Sequence, residues 1–458
     1  MKEKLKKIKF STTQMIVFGF LAAILIGTAL LMLPFATKPG ETTTLIDAMF
    51  TATTSICVTG LVTVNTLSHW TTFGHVVILI LIQFGGLGVV TFTTTILLMM
   101  RKRITLRERL LIQEAYNLDT LRGLVRLTIK IMKGTFVVEG IGALLYSIAF
   151  IPKYGFVSGL GRAIFNSISA FCNAGMDILG DYSLAEYVTS PLVNFTTMAL
   201  IILGGIGFPV WWDVVTKLKK SFKDKFSLKS FARSLRLHTK IAVGTTVLLI
   251  AFGTVAIFIM EYHNKGTIGN LNFGQKIMAS MFQSVTTRTA GFLTVPQENL
   301  SSDSAFISII LMFIGGSPSG TAGGIKTVTF AMIFLAAYSI IRGKQDVELC
   351  RRKIADFYIK KALAVILVSA SVLFVSTIFL SVVEGGEFLD ILFETTSALA
   401  TVGLSRNLTP SLSTLGKFII IVTMYLGRIG PMSMALAFNL RGVKENSRHL
   451  PGENISVG

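Results

Sequence analysis

Long apolar runs alternate along this chain with short polar stretches, and the alternation occurs four times. Runs at about 15–34, 131–150, 241–261 and 361–383 are each long enough to cross a hydrocarbon core of roughly 30 Å as a helix. An amphipathic stretch of about a dozen residues follows each one, at about 45–56, 161–172, 274–287 and 388–400, and is too short to span. Next comes a polar loop ending in glycine, then a second apolar run at about 74–100, 192–216, 304–340 and 415–440. The pattern predicts an all-α membrane protein. Each unit is a first spanning helix (M1), a re-entrant pore helix and a second spanning helix (M2).

The glycine loops show that these units are copies. TTSICVTGL reaches its glycine at Gly60, SISAFCNAGM at Gly175, SVTTRTAGF at Gly291 and TTSALATVGL at Gly403, with spacings of 115, 116 and 112 residues. Near-constant spacing marks an internal repeat. The expected divisions are 1–126, 127–238, 239–355 and 356–445, followed by a tail at 446–458. Non-helical backbone at membrane depth is tolerated only inside protein or beside water. The four loops should therefore line one cavity, giving four tandem M1–pore helix–M2 repeats around one pseudo-fourfold ion pore.

Composition agrees. The chain is 52% hydrophobic and 15% charged, with a mean hydropathy of +0.67. A net charge of +19 without a long soluble segment argues against nucleic-acid binding. The Lys/Arg excess sits in short loops: seven in 101–126, nine in 217–240 and seven in 342–361, with a basic amino terminus and Arg441, Lys444 and Arg448. All fall on one side, which the positive-inside rule makes cytoplasmic, together with both termini. The same basic loops suit the docking of a cytosolic partner chain and, equally, contact with anionic membrane lipid. The first apolar run follows five lysines and is long enough to be retained as a helix rather than a signal peptide. Cys57 and Cys172 each lie three residues before a repeat glycine and read as small core residues. No histidines pair at metal-ligand spacing, and no HExxH, paired aspartates or Ser/His dyad suggests an enzyme. A strand-GxGxxG-helix fingerprint for a nucleotide is also lacking.

The loops carry the candidate chemistry. A cation filter replaces the ion's water shell with backbone carbonyls, and glycine supplies the positive φ that such tight backbone needs. The four segments are Val58-Thr59-Gly60, Asn173-Ala174-Gly175, Thr289-Ala290-Gly291 and Thr401-Val402-Gly403, of which the fourth has the Thr-Val-Gly core of potassium-channel filters. The M2 runs hold their own series: Gly85-Gly86-Leu87-Gly88, Gly204-Gly205-Ile206-Gly207, Gly315-Gly316 and Gly427-Arg428-Ile429-Gly430. In the first two, close helix packing through small residues is expected. In the third, Gly315, Gly316, Ser317, Pro318, Ser319, Gly320, Thr321, Ala322, Gly323 and Gly324 cannot sustain a helix, so this M2 should break into a loop facing the pore. Arg428 aligns with Gly86, Gly205 and Gly316, and a charge there should face the pore or bond the 315–324 carbonyls. Arg288 and Glu394 lie on pore helices and are expected to support the filter, paired across adjacent repeats. For Glu139, midway along the second M1, an interior hydrogen bond and a functional acid both stay open.

Across residues 12–445 the sequence resembles the Trk/Ktr/HKT cation transporter superfamily, and within it the Ktr-type membrane subunits. The four loops, the segment Gly315–Lys326 and Gly427-Arg428-Ile429-Gly430-Pro431 carry the resemblance. It implies channel-like potassium uptake at the plasma membrane, with potassium held by the twelve filter residues. It also implies that the 315–326 loop, including Lys326, and Arg428 form an intramembrane gate. Further implications are a homodimer, sodium as an activator, and a cytosolic ring of nucleotide-binding, RCK/Rossmann-type (KtrA-like) regulatory subunits. Plant relatives that prefer sodium carry serine for the first filter glycine, so Gly60 points to potassium.

Overall fold

The computed structural model of the protein describes residues 12–88, 94, 109–110, 113, 124–180, 182–223, 227–344, 346–350 and 352–430. The basic head, most of the 101–126 loop, Pro431 and the tail lie outside them.

Among the described residues, four helices are long and apolar enough to cross a membrane, and they are the four M1 helices. These are α1 (Thr12–Leu31), α5 (Leu124–Tyr154), α10 (Leu237–Glu261) and α14 (Asp356–Glu384). Helices α5 and α10 begin just ahead of the expected repeat boundaries. The pore helices are α2 (Leu45–Cys57), α6 (Phe156–Cys172), α11 (Phe273–Thr286) and α15 (Phe388–Ala400). All four have largely buried inner halves rich in Ser and Thr, such as Thr53, Thr54 and Ser55 in α2. A short helix α3 (Thr66–His69) precedes the first M2.

M2 begins alike in each repeat, because a hydroxyl residue marks its start: Thr71, Ser190, Ser301 and Ser413 are the N-caps of α4 (Thr72–Leu87), α7 (Pro191–Gly205), α12 (Ser302–Phe313) and α16 (Thr414–Ile429). Pro191 follows Ser190 at the position where a missing N–H costs nothing. In the third and fourth repeats the last glutamate of M1 pins that cap. Glu261 accepts from Ser301 N and Oγ at 3.0 and 2.7 Å, and Glu384 from Ser413 N and Oγ at 2.9 and 2.6 Å.

M2 differs from the expectation of one long helix in more than the third repeat. Helices α4, α7 and α16 all end at the glycine motif. Its last residue, Gly88, Gly207 or Gly430, has φ of 83°, 93° or 89°, a left-handed conformation that stops a helix and suits glycine. The third repeat has Pro318 there. In the second repeat the chain resumes as α8 (Phe208–Lys223), bent by 101° from α7, so the expected span at 192–216 is corrected to two helices. The expected loop at 217–240 holds the end of α8 and a short helix α9 (Leu228–Ser234). In the third repeat α12 stops at Phe313 and α13 (Thr327–Ile341) takes over after a loop, as the run of Gly and Pro requires. The loop before α14 contains a hairpin that an all-α reading omits: β1 (Glu348–Leu349) pairs antiparallel with β2 (Arg352–Lys353).

A polar contact bridges every seam between neighbouring repeats. Gln83 donates to Glu139 at 3.1 Å, Leu184 N to Leu293 O at 2.9 Å, Arg406 to Leu300 O at 3.1 Å, and Lys417 to Asp47 at 2.7 Å. The order first–second, second–third, third–fourth and fourth–first closes a ring.

Candidate functional site: four glycine loops over an intramembrane loop

All four first-position residues sit in the left-handed region, Thr289 with φ of 70° and Val58, Asn173 and Thr401 with φ of 56°, 61° and 53°. The last three terminate their pore helices with the same pair of hydrogen bonds. Val58 N donates to Ser55 O at 3.2 Å and Thr59 N to Thr54 O at 2.8 Å. Asn173 and Ala174 repeat this onto Ala170 and Ser169, and Thr401 and Val402 onto Ala398 and Ser397, at the same two distances. This helix ending normally takes glycine. Val58 and Thr401 are β-branched, so the backbone there is strained.

The glycines that follow adopt φ of 100°, 65°, 80° and 92° at Gly60, Gly175, Gly291 and Gly403. Their neighbours close a ring. A Cβ built on Gly60 falls 2.5 Å from Ala174 O, and one on Gly175 falls 2.5 Å from Ala290 O. One on Gly291 would strike Val402 O, and one on Gly403 would strike Thr59 O. Each glycine thus packs on the carbonyl of the middle residue in the next repeat, and the fourth returns to the first. The hydroxyls of Thr59 and Thr401 are buried and lack a protein hydrogen-bond partner. Buried polar atoms of this kind require a partner of some sort.

On one side the ring opens into a cavity of about 190 Å³ lined by all four glycines and by Asp177 and Glu298. Burial pushes the Asp177 carboxyl above its ordinary range, although the Ser183 hydroxyl, the Leu179 N–H and Arg162 pull it back.

On the other side lies the 314–326 loop. It is tied to the end of α7: Ser317 N donates to Gly205 O at 2.8 Å, Thr321 N to Gly204 O at 3.1 Å, and Phe208 N to Ser319 O at 3.1 Å. Close packing does hold for Gly204, whose added Cβ would strike Phe171 O. The carbonyls of the same motif also receive the loop. Thr321 Oγ1 also donates to Phe171 O at 3.1 Å, beside Asn173. Gly323 lies under the fourth pore helix, with no room for a Cβ against Thr401 Oγ1 and Ala400 O. Within the loop, Gly316 N meets Gly323 O at 3.3 Å, and the Ser317 and Thr327 hydroxyls are 2.8 Å apart. Pro318, Ser319 and Gly320 form the half-exposed tip, and Gly315, Gly316, Ala322 and Ile325 are buried.

Arg428 donates to Thr321 O at 2.6 Å from one nitrogen and to Gly85 O and Gly86 O from the other, so it joins the fourth repeat to the loop and to the first repeat. The M2 glycines verify its alignment. Added Cβ atoms on Gly85, Gly204 and Gly427 would strike Ile56 O, Phe171 O and Leu399 O, each four residues before a ring glycine. The following residues are therefore equivalent: Gly86, Gly205 and Arg428. Lys326 Nζ donates to Ala322 O at 2.6 Å, folding back on the same loop.

Arg288 and Glu394 do not pair. Arg288 reaches Gly315 O at 3.2 Å and Thr246 O at 3.4 Å. Glu394 accepts from Ser405 Oγ at 2.6 Å and from Thr409 Oγ1, within its own repeat. Each charge found partners on its own side of the ring, which removed the need for the other. Glu139 accepts from Gln83, whose Oε1 lies 3.7 Å from Cys172 Sγ. The interior hydrogen bond is thus the one observed. Gly207 and the Gly205 carbonyl were not singled out from the sequence as a docking point, although the glycine ending each motif carried the signal.

A closed ring of four positive-φ glycines thus lies between a mouth lined by Asp177 and Glu298 and the 314–326 loop. The family model for TrkH, described as a cation transport protein, matches residues 2–448. The chain belongs to this family.

The family transports cations and is not a family of enzymes. The chain is 41% identical to the Ktr system potassium uptake protein B of Bacillus subtilis over 450 residues, 98% of this chain and 97% of that protein. It is 36% identical to the potassium/sodium uptake protein NtpJ of Enterococcus hirae, covering 100% of this chain and 99% of that one. The crystal structure of the potassium transporter TrkH from Vibrio parahaemolyticus shares the fold, with a TM-score of 0.74 over 96% of this chain and 87% of that one, at 14% identity.

Proposed function

We propose that this protein takes up potassium across the plasma membrane, with the four glycine loops as its selectivity filter. The observation that carries the reading is the cyclic packing of each ring glycine on the next repeat's carbonyl. It draws the four three-residue segments around one axis, with Thr59 and Thr401 hydroxyls available beside them, as a carbonyl-lined filter requires. The potassium uptake named for the Bacillus relative supports the substrate. The 315–326 loop is the gate, held shut by Arg428 and Lys326. Arg288 and Glu394 support the filter, each through its own repeat. Both termini face the cytoplasm, where a nucleotide-binding ring controls a homodimer of this chain. The divisions at 126, 238, 355 and 445 mark the four repeats.

Conduction of sodium as well, or activation by it, is a second reading, favoured by the potassium/sodium activity named for NtpJ. Cation flux into proteoliposomes under opposed potassium and sodium gradients separates the two. Potassium-selective flux that loses selectivity in Gly60→Ser supports the first reading. Equal potassium and sodium flux in the unsubstituted protein supports the second. No flux of either ion, with or without a cytosolic partner, sinks both.

A further inference from the structure

The bend in the second repeat has a consequence beyond the pore. Helix α7 runs 15 residues from Pro191, about 22 Å at the usual rise, so α8 begins in the inner quarter of a core about 30 Å thick. It then turns by 101°. A helix at that depth and angle lies along the membrane surface. Its residues sort to match. Phe208, Val210 and Asp213 are buried, with Val210 packed beside Ile241 and Ala242 of α10. Asp213 is satisfied by Arg236 N at 2.9 Å and Thr239 Oγ1 at 2.7 Å. Lys219 and Lys220 are exposed. Trp211 and Trp212 are half-buried against Gly134 of α5, and Lys130 Nζ lies 5.7 Å from the Trp212 ring centre. Lys130 and Lys133 are exposed as well. Among the described residues of 124–138, 208–223 and 228–236, Asp213 is the single carboxylate.

We propose that α8 and the first turns of α5 form a binding surface for anionic phospholipid headgroups. Lys130, Lys133, Lys219 and Lys220 supply the charge, and the tryptophan pair anchors the surface at the interface. The same helix starts where the inner loop docks: Phe208 N donates to Ser319 O, and Gly207 lies against Pro318 O. Lipid held on α8 fixes this end of the docked loop. On the reading of that loop as the gate, anionic lipid therefore lowers flux.

Tryptophan fluorescence reads the binding without transport. The chain has three tryptophans, and Trp70 is fully buried, which leaves Trp211 and Trp212 as the lipid-accessible reporters. The full-length protein is reconstituted with brominated phosphatidylglycerol or brominated phosphatidylcholine. Quenching should favour phosphatidylglycerol by at least about fivefold, the effect of one basic residue at an anionic surface. The preference should fall with salt and approach unity in K130Q/K133Q/K219Q/K220Q. Equal quenching by the two lipids in the unsubstituted protein, at any salt, overturns the surface, and so does a preference unchanged in the variant. Flux then tests the coupling. Phosphatidylglycerol concentrates cations for both proteins alike, so only the lysine-dependent difference counts. Relative to K219Q/K220Q, the unsubstituted protein should lose flux several-fold as phosphatidylglycerol rises. Identical lipid responses in the two proteins overturn the coupling and leave the quenching result standing.

Discussion

The inner end of the third repeat differs from the same place in the first, second and fourth. In those three, the pore helix closes on a left-handed residue, and the M2 glycine packs onto its last turn. Gly85, Gly204 and Gly427 lie against Ile56 O, Phe171 O and Leu399 O. In the third, the left-handed residue is at the matching position, Thr289 with φ of 70°, but the hydrogen bonds differ: Arg288 N donates to Val285 O at 3.2 Å and Ala290 N to Thr286 O at 2.9 Å. The position matching Thr54, Ser169 and Ser397 is Val285. Gly315 there meets the carbonyl of Gly323 in its own loop, and Arg288 bonds Gly315 O. The first, second and fourth repeats use helix packing to hold the glycine ring. The third trades the M2 glycine's packing on its pore helix for hydrogen bonds given by two arginines and accepted by the carbonyls at the end of α7. Close packing cannot loosen without a void or a clash. Hydrogen bonds exchange with water at a net cost of about 1 kcal/mol each. On the proposed reading of the 315–326 loop as the gate, the repeat that moves is the one held by hydrogen bonds.

The largest effect tests the packed side. Gly204→Ala and Gly427→Ala each drive a Cβ into a pore-helix carbonyl. Both should lose folded protein, seen as a lowered melting temperature and broadened elution, since overpacking costs about 1–3 kcal/mol or more. The neighbouring Gly205→Ala has its nearest atoms at 3.4 Å and should fold normally. Equal tolerance of Gly204→Ala and Gly205→Ala breaks the comparison.

The hydrogen-bonded side comes next. Arg428→Ala removes charge-assisted bonds worth about 1.5–3 kcal/mol each, so the melting temperature should fall while flux per folded protein rises about tenfold or more. Unchanged or lower flux in a well-folded variant counts against a loop held by Arg428. Arg288→Met and Glu394→Gln should add without coupling, to within about 0.5 kcal/mol in a double-mutant cycle, because the two groups do not touch. A larger coupling would restore the pairing across repeats. The smallest effect concerns the acidic mouth. A carboxyl held above its ordinary range loses its negative charge earlier as the outer solution is acidified. Inward potassium flux should therefore fall as the outer pH is lowered, and Asp177→Asn should flatten that response by severalfold or less. An identical pH profile in the variant removes Asp177 from the mouth's charge.

Arg428 and the third M2 break were legible because a charge or a proline deep in an apolar run has few permitted explanations. Gly207 was not, because a glycine among glycines gives no local sign of the φ it adopts. The pairing of Arg288 with Glu394 failed for a related reason. Charge type predicts that a partner exists, but backbone carbonyls and hydroxyls serve as partners too, and their positions are three-dimensional facts.

By itself the sequence determined the membrane class, the fourfold repeat, the ring glycines and the broken third M2. All of these follow from hydropathy period, spacing and backbone freedom, which are local properties of the chain. Tertiary structure alone decided that each glycine rests on the next repeat's carbonyl, that the inner loop docks on Gly204 and Gly205, and that α8 bends by 101° from α7. Those outcomes depend on which unsatisfied carbonyl lies within reach of which donor once four similar units close around one axis.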